Sequence, residues 1–224
     1  MATVLDKQLA EGRLLAMLPQ HKLKVDKARD DIRSFIRRTV GQCYNSLSWG
    51  KQSIVLAHMI FSVDQSIKNV FWGGEYMELI SDFAATRDKF LSKWPLDYIG
   101  YDAGDTELKE NGVKFLIDHD MFGVFMGLAK CESKARKRTL EAANFRNVFS
   151  YANRKMRCCP LADWSDMDIA AYISVHNIPL LSTYRKYGIT ARTSAGVTPG
   201  SHAEKGMDIL SSESQARINK IFRC

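Results

Sequence analysis

The chain lacks any apolar run approaching the ~20 residues that a membrane-spanning helix needs, so no membrane partner is expected. Its first residues, Met1 to Gly12, are too polar for a secretion signal, and a cytoplasmic location is the expectation. Cysteine is scarce and unpatterned: Cys43, Cys131, Cys158, Cys159 and Cys224 are odd in number, and two are adjacent. That excludes a disulfide framework and suits a reducing compartment. No C-x-x-C pair follows Cys158-Cys159 to complete four ligands, so no metal site and no iron–sulfur cluster is expected. Internal repeats and low-complexity segments are absent, as is an interdomain linker before about Tyr187. The Walker-type phosphate loop is missing too: Gly50 is the first glycine after Gly41, and Lys51 follows it directly.

What remains is the composition of a folded globular protein. With 46% hydrophobic and 25% charged residues over 224 positions, the chain can bury a substantial core as one α/β domain. The formal net charge is +7, concentrated in a run from Lys134 to Arg138 and continued by Arg146, Arg154, Lys155 and Arg157. Such charge either draws in nucleotides or nucleic acid or forms a solvated helix face; charge alone does not choose.

The most informative segment is Asn45-Ser46-Leu47-Ser48-Trp49-Gly50-Lys51-Gln52-Ser53, followed by an apolar run from Ile54 to Phe61. A polar turn between a short strand and a buried helix suits phosphate. The first N–H groups of a helix are unpaired and carry the positive end of its dipole. Ser48 and Ser53 add hydroxyls, Lys51 a point charge, and Gly50 lets the backbone come close.

Periodicity supplies the frame. Val25, Ala28, Ile32, Phe35, Ile36 and Val40 recur at helical spacing, so a helix is predicted over 22–38, preceded by a loosely attached N-terminal helix or arm over 1–21. A strand is predicted over 42–46 and a buried helix over 53–61. A second strand over 69–72 ends at Gly73-Gly74, and a helix over 75–94 turns Met77, Ile80, Ala84, Phe90, Leu91 and Trp94 inward. Pro95 stops it. A third strand (97–101), a short helix (107–116), a fourth strand (123–128) and a basic helix (132–143) follow. This alternation predicts an α/β fold, a doubly wound, mostly parallel sheet with helices on both faces. Ligands bind at the carboxyl ends of such strands. Three informative turns fall there, namely Ser46 to Ser53, Trp72 to Glu75 and Leu128 to Ser133, so one shared pocket is expected.

The second half carries its own signals. Ser165 with Asp168 three residues on reads as a capping box, opening a helix through Ile169, Tyr172 and Ile173 to His176, which Asn177-Ile178-Pro179 ends. His58 is expected to be a hydrogen-bonded core histidine. Asp163 is either catalytic or a pin for the loop before the helix. Arg192-Thr193-Ser194 lies in a Gly/Ser/Thr-rich stretch, and Ser212 to Gln215 reads as the cap of a last helix whose apolar face needs a partner. That partner is either this domain or a second copy in a homodimer.

The order of these segments resembles the PAPS reductase and ATP-pyrophosphatase superfamily, the adenine nucleotide alpha hydrolases with a modified phosphate loop. Its S-G-G-x-D-S loop is matched by Ser48-Trp49-Gly50-Lys51-Gln52-Ser53, and its G-x-R-x-x-E-S element by Gly127-Leu128-Ala129-Lys130-Cys131-Glu132-Ser133, with Arg136 beyond. Its P-[LI]-x-D-W-[ST]-x-x-D-[VI] element matches Pro160 to Ile169, and its h-x-I-P-x-x-x-x-Y element His176 to Tyr184. The resemblance spans 22–188 as a nucleotide-binding domain, with a loop and helix over 189–224. Three positions depart from the pattern: Trp49 stands for a glycine, Gln52 for an aspartate and Ala129 for an arginine.

The resemblance implies an adenine-nucleotide site built from Ser46, Ser48, Trp49, Gly50, Lys51, Gln52, Ser53, Trp72, Gly73, Gly74, Gly127, Lys130, Glu132 and Ser133, with Trp49 offering an indole wall. Two reactions are implied. ATP, with Mg²⁺ bridging its phosphates, loses pyrophosphate to an acceptor while Lys51 and Lys130 or Arg136 stabilise charge. Alternatively, adenosine 3′-phosphate 5′-phosphosulfate is attacked at sulfur by Cys224, and a thioredoxin-like reductant or glutathione resolves the intermediate. A nucleotide sensor or nucleic-acid-binding subunit is the non-enzymatic alternative.

Overall fold

The computed structural model describes residues 2–71, 82–100, 115–142, 148–150 and 155–191. Helix α1 (Val4–Met17) opens on a capping box between Thr3 and Asp6, each side chain bonded to the other's backbone N–H. Leu18 ends α1 and starts α2 (Pro19–Arg38), with Pro19 at the position where its missing N–H costs nothing. His21, Ala28, Ile32 and Phe35 form the buried stripe of α2. Strand β1 (Cys43–Leu47) leads into α3 (Lys51–Val63), then β2 (Lys68–Phe71), α4 (Phe83–Lys93) and β3 (Tyr98–Gly100). After β4 (Gly123–Met126) come a 3₁₀ turn (Lys130–Glu132), α5 (Lys134–Ala142), β5 (Val148–Ser150), β6 (Met156–Cys158), α6 (Asp166–His176) and α7 (Ser182–Tyr187).

Among the described residues six strands form one sheet in the order β3-β2-β1-β4-β6-β5. All pairings are parallel except β5 with β6. The fold is therefore the expected α/β doubly wound one, with an antiparallel edge. Both faces of the sheet are covered. On one, Tyr44, Val70 and Val124 pack with Phe115 and Leu116; on the other, Cys43, Leu47, Phe71 and Phe125 join the main core with Phe35, Leu56 and Ile60. That alternation along β1 is the period of two that a strand imposes. Asn45 and Asn69 are register partners; the Asn45 amide donates to Asn69 Oδ1 at 2.9 Å and the Asn69 amide to the Ile67 carbonyl at 3.0 Å, which leaves Asn45 Oδ1 as a buried acceptor without a partner.

The chain runs from β1 outward to β2 and β3, then returns to lay β4 on the other side of β1. The reversal between β1 and β4 is the place where a doubly wound sheet opens a crevice at its carboxyl ends.

Several expectations are corrected. Residues 4–17 are not a loose arm: Gly12 lies so close to α6 that an added Cβ would sit 2.8 Å from Ala170 C and Ala171 N, and only glycine permits that approach. In α4 it is Phe83 and Phe90 that are buried, while Ala84 is exposed. The basic helix starts at Lys134, because the Glu132 carboxylate accepts from the Ala129 N–H and tightens the preceding residues into the 3₁₀ turn. Strands β5 and β6 were unforeseen; three residues each is too short for a periodic signal. Among the described residues no helix is long and apolar enough to cross a membrane.

Candidate functional site

The cleft is floored by the turn between β1 and α3. Trp49 adopts φ +57°, the left-handed region that glycine occupies without strain, and Gly50 follows as the α3 N-cap with no side-chain cap of its own. The Ser48 N–H donates to Ser53 Oγ at 2.8 Å, closing the loop on itself. The Lys51 N–H donates to the Tyr184 hydroxyl at 3.1 Å, which ties α7 to the start of α3. The N–H groups of Gln52 and Ser53, in the first turn, have no intrahelical acceptor and face the positive end of the helix dipole. Gln52 is 5% exposed, and its Nε2 is buried without a hydrogen-bond partner. A buried amide donor left open is costly unless a ligand meets it.

The opposite wall comes from the end of β4. A Cβ on Gly127 would lie 2.9 Å from Ser53 Cα and Ser53 N, so the two turns touch through backbone. Past Gly127, Cys131, Glu132 and Arg136 line the cleft, and Asp166, Tyr184, Thr190 and Ala191 complete it around a cavity of about 370 Å³.

Its charges are internally balanced. Arg136 pairs with Glu132 one helical turn before it. Lys51 Nζ lies 3.1 Å from Asp166 Oδ1, an ion pair without hydrogen-bond geometry, and donates instead to the Ala191 carbonyl at 2.8 Å. The segment carrying Ala191 is anchored in turn, since the Ile189 N–H donates to Gln8 Oε1 of α1 at 2.7 Å. Asp82 accepts from the Ser182 N–H and hydroxyl at 2.6 and 2.9 Å, fixing the start of α7 and with it Tyr184. Cys131 donates from Sγ to the Trp164 carbonyl at 3.3 Å. Burial, then the charges of Asp166 and Glu132, push its thiol up from the usual value.

Of the residues expected here, Ser46, Ser48, Gly50, Lys51, Gln52, Ser53, Gly127, Glu132 and Arg136 meet in this cleft. Three do not. The Trp49 indole points into the core and contacts Phe83, Phe90 and Tyr98 edge-on at 5.9, 5.7 and 5.8 Å, so it is no wall for a ligand. Lys130 stands outside the lining and pairs with Asp163 at 2.5 Å. Ser133 Oγ accepts from the Arg136 N–H at 3.1 Å as the N-cap of α5 and is not among the residues that line the cleft. Trp72, Gly73, Gly74, Arg192 to Ser194, Ser212 to Gln215 and Cys224 lie outside the described residues. Cys131, Asp166 and Tyr184 were not foreseen as lining, although each sits inside a matched element. Asp163 is half-exposed and joins Lys130 and Lys27, the pinning role rather than a place in the cleft. Among the described residues no group of three His, Cys, Asp or Glu side chains is placed to hold a metal.

The doubly wound sheet thus carries the Ser48–Ser53 turn, with Gly127 against it, at its switch point. The family model of the phosphoadenosine phosphosulfate reductase domain matches residues 105–190. That match takes in Gly127, Glu132, Arg136, Asp166 and Tyr184 of the cleft and leaves the Ser48–Ser53 turn outside it. A phosphoadenylyl-sulfate reductase from Candida auris, solved as a phosphate complex, is 12% identical with a TM-score of 0.53, over 70% of this chain and 82% of that one. Candida glabrata FMN adenylyltransferase is 14% identical with a TM-score of 0.63, over 99% and 91%. Yeast FAD synthetase in complex with FAD is 14% identical with a TM-score of 0.54, over 80% and 71%. No curated protein matches the chain.

Proposed function

We propose that the chain is an adenine-nucleotide enzyme acting at the α-phosphate or at its sulfate adduct, with a phosphoadenosine phosphosulfate reductase-like reaction as the first reading. The observation that carries it is the cleft between Ser48–Ser53 and Gly127, where the unpartnered Gln52 amide and the first N–H groups of α3 converge. These are donors without a base, the arrangement that receives phosphate oxygens. The family model over 105–190 supports the reductase-like assignment. Lys51, buried and held by Asp166 and the Ala191 carbonyl, is a cation fixed in place before charge develops on the phosphate. Arg136 supplies the second.

A second reading, an ATP pyrophosphatase that adenylates an acceptor, is favoured by one observation. Among the described residues the one cysteine lining the cleft is Cys131, and its raised thiol is a poor source of thiolate. Adenylyl transfer requires no cysteine. A Mg²⁺ ion entering with the phosphates would meet Asp166 as a carboxylate lining the cleft and would supply charge neutralisation there.

Calorimetric titration with ATP, adenosine 3′-phosphate 5′-phosphosulfate and AMP, each with Mg²⁺, tests the site, and assays for sulfite and pyrophosphate separate the reactions. Sulfite release lost in Cys224→Ser means a reductase; pyrophosphate release means an adenylating enzyme. Lys51→Ala should weaken nucleotide binding about tenfold or more, the worth of a charged hydrogen bond. Unchanged affinity would remove the loop from the site.

A further inference from the structure

The Lys51 ammonium sits on a flexible four-carbon stem, so its place is set by what holds its head. Its side chain is 5% exposed, and its Nζ lies 3.1 Å from Asp166 Oδ1 and 5.8 Å from the centre of the Tyr184 ring. Among the described residues its hydrogen-bond acceptor is the Ala191 carbonyl, at 2.8 Å. A backbone carbonyl holds a cation in place only if the backbone itself is held. Ala191 closes a turn over 188–191: its N–H donates to the Gly188 carbonyl at 3.2 Å, and the Gly188 N–H to the Tyr184 carbonyl at 2.9 Å. Within that turn Ile189 is fully buried, where an N–H without an acceptor is costly. The acceptor is Gln8 Oε1 of α1, at 2.7 Å, from a residue 181 positions earlier. The fit is close: Gly188 adopts φ +78°, and a Cβ on it would stand 2.7 Å from Gln8 Oε1 and 3.1 Å from Val4 Cγ1.

Gln8 shares a helix face with Gly12, four residues on. Gly12 brings α1 against Ala170 and Ala171 of α6, the helix that begins with Asp166. One face of α1 thus braces both groups that hold Lys51, α6 with its carboxylate and the turn with its carbonyl. We infer that Gln8 is a positioning residue for Lys51: its side-chain oxygen fixes the 188–191 turn, the turn fixes the Ala191 carbonyl, and the carbonyl fixes the ammonium at the cleft. That role presupposes the adenine-nucleotide reading of the cleft, in which a cation held in advance contributes more than one that must be ordered as the phosphate arrives.

The experiment removes the acceptor in two ways, with Gln8→Ala and with Gln8→Met, which keeps the length of the side chain, and retains it in Gln8→Glu. Both replacements that lack the oxygen are good helix formers, so α1 itself is not weakened. Lys51 is read first without nucleotide, by pulse acetylation with sulfosuccinimidyl acetate and mass spectrometry of its peptide, with Lys89, exposed on α4, as internal reference. ATP affinity is then measured by calorimetry in these variants, in Lys51→Ala and in the double variant Gln8→Ala/Lys51→Ala. Acetylation of Lys51 relative to Lys89 rises several-fold in Gln8→Ala and Gln8→Met and stays at the wild-type level in Gln8→Glu. ATP affinity falls about fivefold where the oxygen is lost, the worth of one hydrogen bond, and is retained in Gln8→Glu. In the Lys51→Ala background Gln8→Ala costs nothing further, because the two residues act as one unit. Unaltered Lys51 reactivity in Gln8→Ala and Gln8→Met overturns the role, as does an equal loss of ATP affinity in both backgrounds or a gain in it. If Lys51 responds to Gln8 in this way but the wild type binds no ATP, the nucleotide reading of the cleft fails and the brace stands.

Discussion

At the scale of single residues, the cleft is decided by atoms that are missing as much as by those present. Gly127 has no functional group, yet the end of β4 can touch the Ser48–Ser53 turn only because it has no Cβ. Gly127→Ala forces backbone against the backbone of Ser53, an overpacking that costs about 1–3 kcal/mol. We expect nucleotide affinity to fall about tenfold in calorimetric titration while the far-ultraviolet spectrum stays native. Equal affinity would mean that the two turns move freely apart. Trp49 makes the converse case. By motif alone, Trp49→Gly repairs the loop and relieves its positive φ. By structure, it deletes a 2%-exposed indole seated among Phe83, Phe90 and Tyr98. Removal of a buried aromatic of this size costs about 3–5 kcal/mol, far above the strain relieved. The variant should melt well below the wild type; a higher melting temperature would show that the left-handed turn dominates.

At the scale of elements, α6 is the joint that organises the fold. Its capping box pairs Ser165 with Asp168, and the Asp168 carboxylate also takes Lys24 Nζ at 2.6 Å and His21 Nδ1 at 3.3 Å from α2. Burial alone would raise the Asp168 pKa, but bonds from His21, Lys24 and Ser165 outweigh it and hold it below the usual carboxylate range. Asp168→Asn keeps the shape and removes the charge that three partners address. We expect a loss of about 3 kcal/mol, the scale for breaking a buried ionic network, read by chemical denaturation. A change below about 0.5 kcal/mol would reduce the network to surface value. This cap was legible in the sequence as Ser165 and Asp168 because a capping box is local. Its partners His21 and Lys24 were not, because nothing local ties them to a residue more than 140 positions away. The same division holds for the site. The turn from Ser48 to Ser53, Gly127 and Glu132 declared themselves by residue type and spacing. Tyr184 and Asp166 enter the cleft through the docking of α7 and α6, and Trp49 leaves it because an aromatic pocket exists behind the turn. Strands β1 to β4 could be read from apolar runs, whereas β5 and β6 are recruited by pairing with strands already placed.

At the scale of the whole molecule, helices α2, α3 and α6 meet around a buried basic group whose neutrality the fold requires. His58 of α3, 7% exposed, shares a hydrogen bond with the Tyr172 hydroxyl at 2.9 Å, and its ring lies 4.6 Å from that of His176. Among the described residues the groups facing it are Tyr172 and His176 from α6, Arg29 from α2 and the Trp94 ring, with no carboxylate. Burial, then the charges of His176 and Arg29, push the His58 pKa down to about 4, and burial followed by Arg29 lowers that of His176. A histidine depressed in the folded state takes up its proton more readily when unfolded, at its ordinary value of about 6.5, so stability rises with pH through this window. The contribution is complete above about pH 6.5 and is lost as pH falls toward about 4, amounting to about 3 kcal/mol for His58. Asp168 adds its own loss below about pH 4, where the unfolded carboxylate protonates first. Thermal melts between pH 7 and pH 4 should therefore show a steady fall that flattens in His58→Gln, which keeps hydrogen-bonding capacity and cannot charge. A variant as acid-sensitive as the wild type across that range would place the sensitivity elsewhere than between α3 and α6.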